Sequence, residues 1–133
     1  MKLQFNQVQE LAKALIEEAQ QQKVSIAFAI SDTSGELLGF NKMDGVSSMA
    51  ANLAIAKAYT AAREGQATLD MGQWARENQR DVGYWADPNV TLFAGGVPIK
   101  VDGIVIGALG ISGLAEEDDH KLAEQVIALT IFA

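Results

Sequence analysis

Cysteine is absent from this chain of 133 residues, and histidine occurs once. The missing thiols exclude disulfides, thiolate metal sites and cysteine nucleophiles. The single histidine, His120, argues against a Ser-His-Asp triad. Its surroundings, EEDDH, do not form a convergent metal site, because neighbouring residues on a helix point in different directions.

Long apolar runs and an excess of basic residues are also missing. No apolar run reaches the roughly 18 residues of a membrane span, and the polar start MKLQFNQVQE lacks the apolar core of a signal peptide. We therefore expect a cytoplasmic protein. The formal net charge is −7, from 17 acidic and 10 basic side chains. Such a surface repels phosphate backbones, so we expect neither a nucleic-acid nor a membrane partner.

Hydrophobic periodicity predicts helices and strands in the order α-ββ-α-(α)-βββ-α. The helices cover about residues 5–19, 47–64, 71–79 and 115–132, and the strands about 24–30, 37–43, 91–93, 97–101 and 104–111. Helices inserted between tightly turned strands favour an α+β fold, with an antiparallel sheet of about five strands flanked by helices. We expect residues 1–133 to form one domain, since a chain of this length suits one core.

The stretch FAGGVPIKVDGIVIGALGISG, residues 93–113, is rich in glycine. Asp102–Gly103 is a two-residue hairpin turn. Gly95 and Gly96 precede a strand, where they either permit tight packing or expose backbone amides to a ligand. Pro98 cannot donate to a ladder and belongs at an edge or bulge. Gly107 and Gly110 lie on opposite faces of their strand, and we expect each to make room for a helix alanine.

Several ordered motifs resemble the GlcG/HbpS-like haem-binding family, also called the haem-degrading or PduO C-terminal domain. GGVPI, the VDG hairpin, GALGISG and an acidic helix follow one another as in that family. Two earlier family patterns, D…G…MDG and K-A-x-T-A, are matched by Asp32, Gly35, Met43, Asp44 and Gly45, and by Lys57, Ala58, Thr60 and Ala61. The resemblance covers nearly the whole chain and implies the fold of this family.

Family members are implicated in haem binding, in glycolate operons and as partners of corrinoid adenosyltransferase domains. The resemblance implies a haem- or tetrapyrrole-binding accessory protein, with slow haem degradation as a further activity. The alternative is an enzyme or metabolic accessory protein for a small carboxylated or hydroxylated metabolite, in a glycolate- or diol-utilisation context, with Lys57 and Asp44 as acid–base or orienting groups. The family associates haem with a histidine in the first helix, which this chain lacks. His120 is then one candidate axial ligand, because a single imidazole suffices, and the alternatives are Met43, Met49, Met71, Tyr59 and Tyr84.

Lys57 is flanked by alanines on the central predicted helix, with Thr60 on the same face. One interpretation is a solvent-facing polar stripe. The other is a cation and a hydroxyl that line a pocket beside the glycine pair and hold a carboxylate, such as a haem propionate or a small acid. The candidate ligand-binding residues are Asp44, Lys57, Thr60, Arg76, Gly95, Gly96, Val97 and Pro98.

The sequence also predicts self-association. A small sheet-and-helix domain has two sheet edges and a modest core, so contact with further copies buries apolar surface. The C-terminal stretch VIALTIFA carries no charged side chain. Because the family is commonly oligomeric, the resemblance points the same way. We expect a homo-oligomer, at least a dimer.

Overall fold

The structure is a computed structural model and describes residues 1–130. The helices are α1 (Phe5–Gln22), α2 (Ser48–Glu64), α3 (Thr68–Glu77) and α4 (Glu116–Ala128), with a short 3-10 helix at Val82–Trp85. The strands are β1 (Ala27–Ser31), β2 (Leu37–Lys42), β3 (Gly96–Val101) and β4 (Ile104–Ser112). The last residues of the predicted C-terminal helix, 131–132, lie outside the described part of the chain.

The strands form one antiparallel sheet in the order β2-β1-β4-β3. The predicted α+β fold is confirmed, with four strands instead of about five. The difference is residues 91–93, which form irregular chain because side chains satisfy their amides. Thr91 N donates to Thr60 Oγ1 at 3.0 Å, and Phe93 N donates to Thr91 Oγ1 at 3.3 Å.

The two faces of the sheet carry side chains of different size. One face presents large apolar residues, and α1 and α4 pack against it to form the main core. The other face presents small residues, and α2 covers it with its alanines. The large residues on the sheet are Phe28, Ile30, Val97, Ile99, Ile106, Leu109 and Ile111. This alternation follows from the period of two along each strand, which on β4 is broken at the register irregularity that leaves Ile106 unpaired in the β3–β4 ladder.

Two glycines allow α2 to lie directly on the sheet. Gly96 of β3 and Gly110 of β4 are partners in the ladder. A Cβ on Gly96 would collide with the backbone oxygen of Lys57, and one on Gly110 with that of Ala54. The helix backbone therefore touches the strand backbone.

The prediction that Gly107 makes room for a helix alanine is wrong. A Cβ there would collide with the Leu3 side chain, so this glycine makes room for the segment before α1. Pro98 lies on β3, which is an edge strand, as predicted. The Asp102–Gly103 hairpin is confirmed, and both residues have positive φ, 52° and 77°. No helix in the described part of the chain is long and apolar enough to cross a membrane.

Candidate functional site

Lys57 is buried beneath the entrance to β3, with 2% of its surface exposed. Its ammonium donates to the Ile111 carbonyl oxygen at 2.8 Å and to Asp119 Oδ2 at 3.1 Å. The solvent-facing interpretation of Lys57 is therefore wrong. The side chain instead joins α2 to α4 through a buried ion pair and to β4 through a hydrogen bond.

Gly95 leaves the space that this ion pair occupies. A Cβ at this position would lie 2.9 Å from Lys57 Nζ and 3.0 Å from Asp119 Cβ. Its φ of 131° is also one that side chains of L residues rarely adopt. Conformation and space both require glycine here.

Burial shifts both members of the pair toward their neutral forms. Burial lowers the pKa of the Lys57 ammonium, and attraction to Asp119 offsets this only in part. Burial likewise raises the pKa of the Asp119 carboxyl, opposed by Lys57 and by the amide of Leu114, which donates to Oδ1 at 3.1 Å. Both charged groups therefore have hydrogen-bond partners, but both have lost nearly all contact with water.

Three helices fix the segment that leads into β3, residues 91–96. Thr60 of α2 accepts from Thr91 N, while its own hydroxyl donates to Ala56 O at 2.8 Å. Thr68 of α3 accepts from Gly96 N at 2.9 Å, and Glu116 of α4 accepts from Ala94 N at 2.9 Å. Side-chain oxygens of Thr60, Thr68 and Glu116 thus bind three backbone amides of this segment.

An open cleft lies on this segment. It consists of two adjoining depressions of about 300 and 170 Å³, which share Arg76, Leu92 and Glu116. We call it the Arg76 cleft. Its remaining lining residues are Leu69, Val82, Val90, Thr91, Phe93, Ala94 and Glu117.

The cleft combines one cation, Arg76, and two carboxylates, Glu116 and Glu117, with exposed apolar surface. Arg76 makes no ion pair among residues 1–130. Val82 and Phe93 are 44% and 52% exposed. A guanidinium beside apolar side chains is suited to a ligand that carries a carboxylate on an apolar body.

The remaining candidate residues lie elsewhere. Val97 points into the main core, and Pro98 is half-buried on β3. Asp44 lies exposed in the turn between β2 and α2 and does not line the Arg76 cleft. The structure therefore places Lys57 against Gly95 and Gly96 and binds Thr60 to Thr91 of the adjoining segment. Arg76 lines the cleft, whereas Lys57, Thr60 and the two glycines do not. Their contact with a ligand stays a prediction.

His120 is 9% exposed and also lies outside the lining of the Arg76 cleft. Its Nε2 is 3.0 Å from Glu124 Oε1, one helical turn onward. Its Nδ1 is buried and has no hydrogen-bond partner among the described atoms. Residues 1–130 contain no group of three or more His, Asp or Glu side chains placed to hold a metal ion.

Sequence reasoning did not identify Asp119 or Glu116 as parts of this region. Both stand in an acidic helix start that reads as a solvated terminus favoured by the helix dipole. One feature of the sequence points to a partner of this kind. Lys57 is flanked by alanines that pack on a sheet, and a lysine buried in such a place requires a carboxylate beside it.

The fold and these contacts define an α+β sandwich whose glycine-rich strand entrance is packed against an alanine-rich helix. The family model described as "Haem degrading protein HbpS-like" matches residues 3–128. The chain belongs to this family. The resemblance stated from its motifs is thereby confirmed.

Three relatives show the range of this family. Protein GlcG of Escherichia coli (strain K12) is 37% identical over 108 residues, which cover 78% of this chain and 79% of GlcG. Corrinoid adenosyltransferase PduO of Salmonella typhimurium is 32% identical over 128 residues, covering 95% of this chain but 38% of PduO. A crystal structure described as a PduOC:heme complex has a TM-score of 0.88 and 30% identity, covering 98% of this chain and 96% of that chain.

Proposed function

We propose that this protein is a haem- or tetrapyrrole-binding accessory protein and that the Arg76 cleft receives the ligand. The observation that carries this proposal is the likeness to the PduOC:heme complex, at 30% identity and a TM-score of 0.88. The family description, a haem-degrading protein, supports the same ligand class. Fold alone does not fix a function, so the residues of the cleft must also suit the ligand.

The residues of the cleft suit a tetrapyrrole that carries propionates. The Arg76 guanidinium pairs with a carboxylate, and Val82, Leu92 and Phe93 pack against the edge of the macrocycle. Depressions of about 300 and 170 Å³ are too small to enclose the whole ring system. The ligand is then held by one edge and remains partly exposed.

No histidine lines this cleft, so binding through it rests on the carboxylate and on apolar contact. Two consequences follow. Iron-free protoporphyrin IX binds about as tightly as haem, and His120→Ala leaves haem affinity within about twofold of the parent. A strong preference for the iron form would instead indicate a protein ligand to iron.

Titrations of haem and of protoporphyrin IX, followed by absorbance and fluorescence, test this proposal. Loss of a charge-assisted hydrogen bond of about 1.5–3 kcal/mol predicts that Arg76→Gln weakens both about ten- to hundredfold. Lys13→Gln, an exposed change on α1, controls for overall charge. Parent-like binding by Arg76→Gln would exclude this cleft, and no saturable binding by the parent would overturn the function. Loss of the Soret absorbance of bound haem after addition of ascorbate tests the second part of the proposal, slow haem degradation.

The second candidate is an enzyme or accessory protein for a small carboxylated or hydroxylated metabolite. The favouring observation is that Arg76 and Glu116 line the same small depressions, so a cation and a carboxylate face one cavity. A rise in melting temperature with a small 2-hydroxy acid, lost in Arg76→Gln and unaccompanied by haem binding, would favour this candidate.

A further inference from the structure

Three aromatic side chains cluster on the surface, outside the Arg76 cleft. Trp74 projects from α3, and Tyr84 and Trp85 from the 3-10 helix. Their ring centroids are 5.2 to 6.0 Å apart. Trp74 and Tyr84 are 41% and 57% exposed. Together with Gln66 and Met71 the three rings line a cavity of about 260 Å³, which we call the aromatic pocket.

The aromatic pocket is held by polar contacts on two sides. Asp81 Oδ1 accepts from Gly83 N at 2.8 Å and caps the 3-10 helix. Trp85 Nε1 donates to Glu64 Oε1, at the end of α2, at 3.0 Å. Met71 forms its buried floor. A contiguous patch of exposed aromatic rings is typical of a binding site, whereas apolar side chains exposed singly are common on any protein surface.

The angles between the rings favour a compact group over a flat one. The planes are inclined by 51° between Trp74 and Tyr84, 73° between Trp74 and Trp85, and 78° between Tyr84 and Trp85. The rings thus pack tilted or edge-to-face on one another and offer no pair of parallel faces for a flat ligand, which leaves a rounded group as the better fit to the pocket beside them.

The electrostatics of the pocket favour a positive ligand. Aromatic faces are electron-rich and attract cations. The hydrogen bond from the Trp85 indole to the Glu64 carboxylate polarises that ring further. The Arg80 guanidinium already lies 5.5 Å from the centroid of the Tyr84 ring. The chain as a whole carries a net charge of −7.

We propose that the aromatic pocket is a binding site for a small organic cation of the quaternary ammonium class. Methylated ammonium groups are compact and weakly hydrated, which suits the mutually inclined rings. They are also positively charged, which suits the electron-rich aromatic faces. The site is separate from the tetrapyrrole proposal and does not depend on it. Arg80 lies on one face of Tyr84 and opposes a second cation, so it limits the affinity.

Both tryptophans of the chain line this pocket, so intrinsic fluorescence reports on it directly. The probes are choline and its neutral isostere 3,3-dimethylbutan-1-ol, in which a carbon replaces the nitrogen. We expect a saturable change with choline and at least tenfold weaker binding of the alcohol. Tyr84→Ala weakens choline about fivefold, Tyr84→Phe stays within twofold, and Arg80→Gln strengthens choline about threefold.

Four results would overturn this proposal. They are equal binding of choline and the alcohol, no saturable change with choline, tighter binding of the flat neutral probe indole measured by calorimetry, or a lower mass of Tyr84→Ala in light scattering. The last result would mean that the rings form a contact between copies of the chain. Far-ultraviolet circular dichroism shows whether each variant is folded. We expect the Tyr84 variants to fold, because the Tyr84 side chain is exposed.

Discussion

At the residue scale, the buried pair Lys57–Asp119 combines a high cost with a linking role. Its side chains are each 2% exposed, so both charges have lost nearly all their water. A buried ion pair is often no more stabilising than apolar side chains of similar volume, but removal of one partner leaves an uncompensated charge. This pair therefore matters most when it is broken.

Asp119→Leu is expected to lower the free energy of unfolding by about 3–5 kcal/mol at pH 7. Without Asp119, burial lowers the pKa of Lys57 further below its ordinary value of 10.5. Between the two pKa values the unfolded chain binds more protons than the folded one, so the variant gains stability as pH rises through that range. Urea unfolding at pH 7 and at pH 9.5 measures both effects.

The double variant Lys57→Met, Asp119→Leu is the matched control. It carries no buried charge, so it should recover most of the lost stability, and its comparison with the single variant isolates the pH effect of Lys57. A loss below about 1 kcal/mol in Asp119→Leu would show that solvent or another group compensates the ammonium.

The sequence predicted which residues lie near Lys57, but it did not predict that Lys57 is buried. Motif spacing predicted Lys57, Thr60 and the glycine pair as one group, and the structure places Lys57 against both glycines and binds Thr60 to Thr91, four residues before them. The burial of Lys57 could not be predicted, because its partner Asp119 is 62 residues away. No local pattern reports a contact that depends on how α4 docks.

At the element scale, α2 packs directly on the backbone of β3 and β4, whereas helices usually pack on the side chains of a sheet. Gly96 and Gly110 remove the side chains that would separate this helix from β3 and β4. Interiors are densely packed, so the added methyl group of an alanine requires the helix to move as a unit.

Gly110→Ala is expected to lower the free energy of unfolding by about 2–3 kcal/mol, the upper part of the usual range for overpacking. The new Cβ would lie 2.5 Å from Ala58 N, a backbone atom that cannot move alone. Gly39→Ala is the matched control on β2, where the Cβ would meet side-chain atoms alone, Val8 Cγ1 at 3.0 Å and Ile30 Cδ1 at 3.9 Å. Urea unfolding of both variants tests the difference, and equal losses would contradict close helix–strand contact as the cause.

Elements with a local signal were predicted well. The apolar stretches of β1 and β4, the Asp102–Gly103 turn and the uninterrupted α2 each follow from nearby residues. Residues 91–93 were predicted as a strand because Thr, Leu and Phe favour strands. Thr60, Thr68 and Glu116 bind the amides of this region, and this tertiary competition leaves no trace in the local sequence.

At the scale of the whole molecule, β2 is an incompletely protected edge. It is an outer strand of the sheet, with one side unpaired. Leu37, Leu38 and Phe40 are 45%, 43% and 36% exposed, on both faces of this strand. Exposed apolar edge strands are templates for pairing with another chain. The apolar C-terminal stretch on which self-association was also predicted lies partly outside the described residues, at 131–133.

We predict that the protein is a homo-oligomer and that β2 contributes to the contact. Light scattering should give a mass of at least twice the 14.2 kDa of one chain at micromolar concentration. Leu38→Lys introduces a charge on the edge strand and should shift the mass toward that of a single chain. Ile104→Lys is the control, because Ile104 is 55% exposed but lies at the β3–β4 hairpin. A parent mass of 14.2 kDa would refute self-association, and equal effects of both lysines would assign the contact to a different surface.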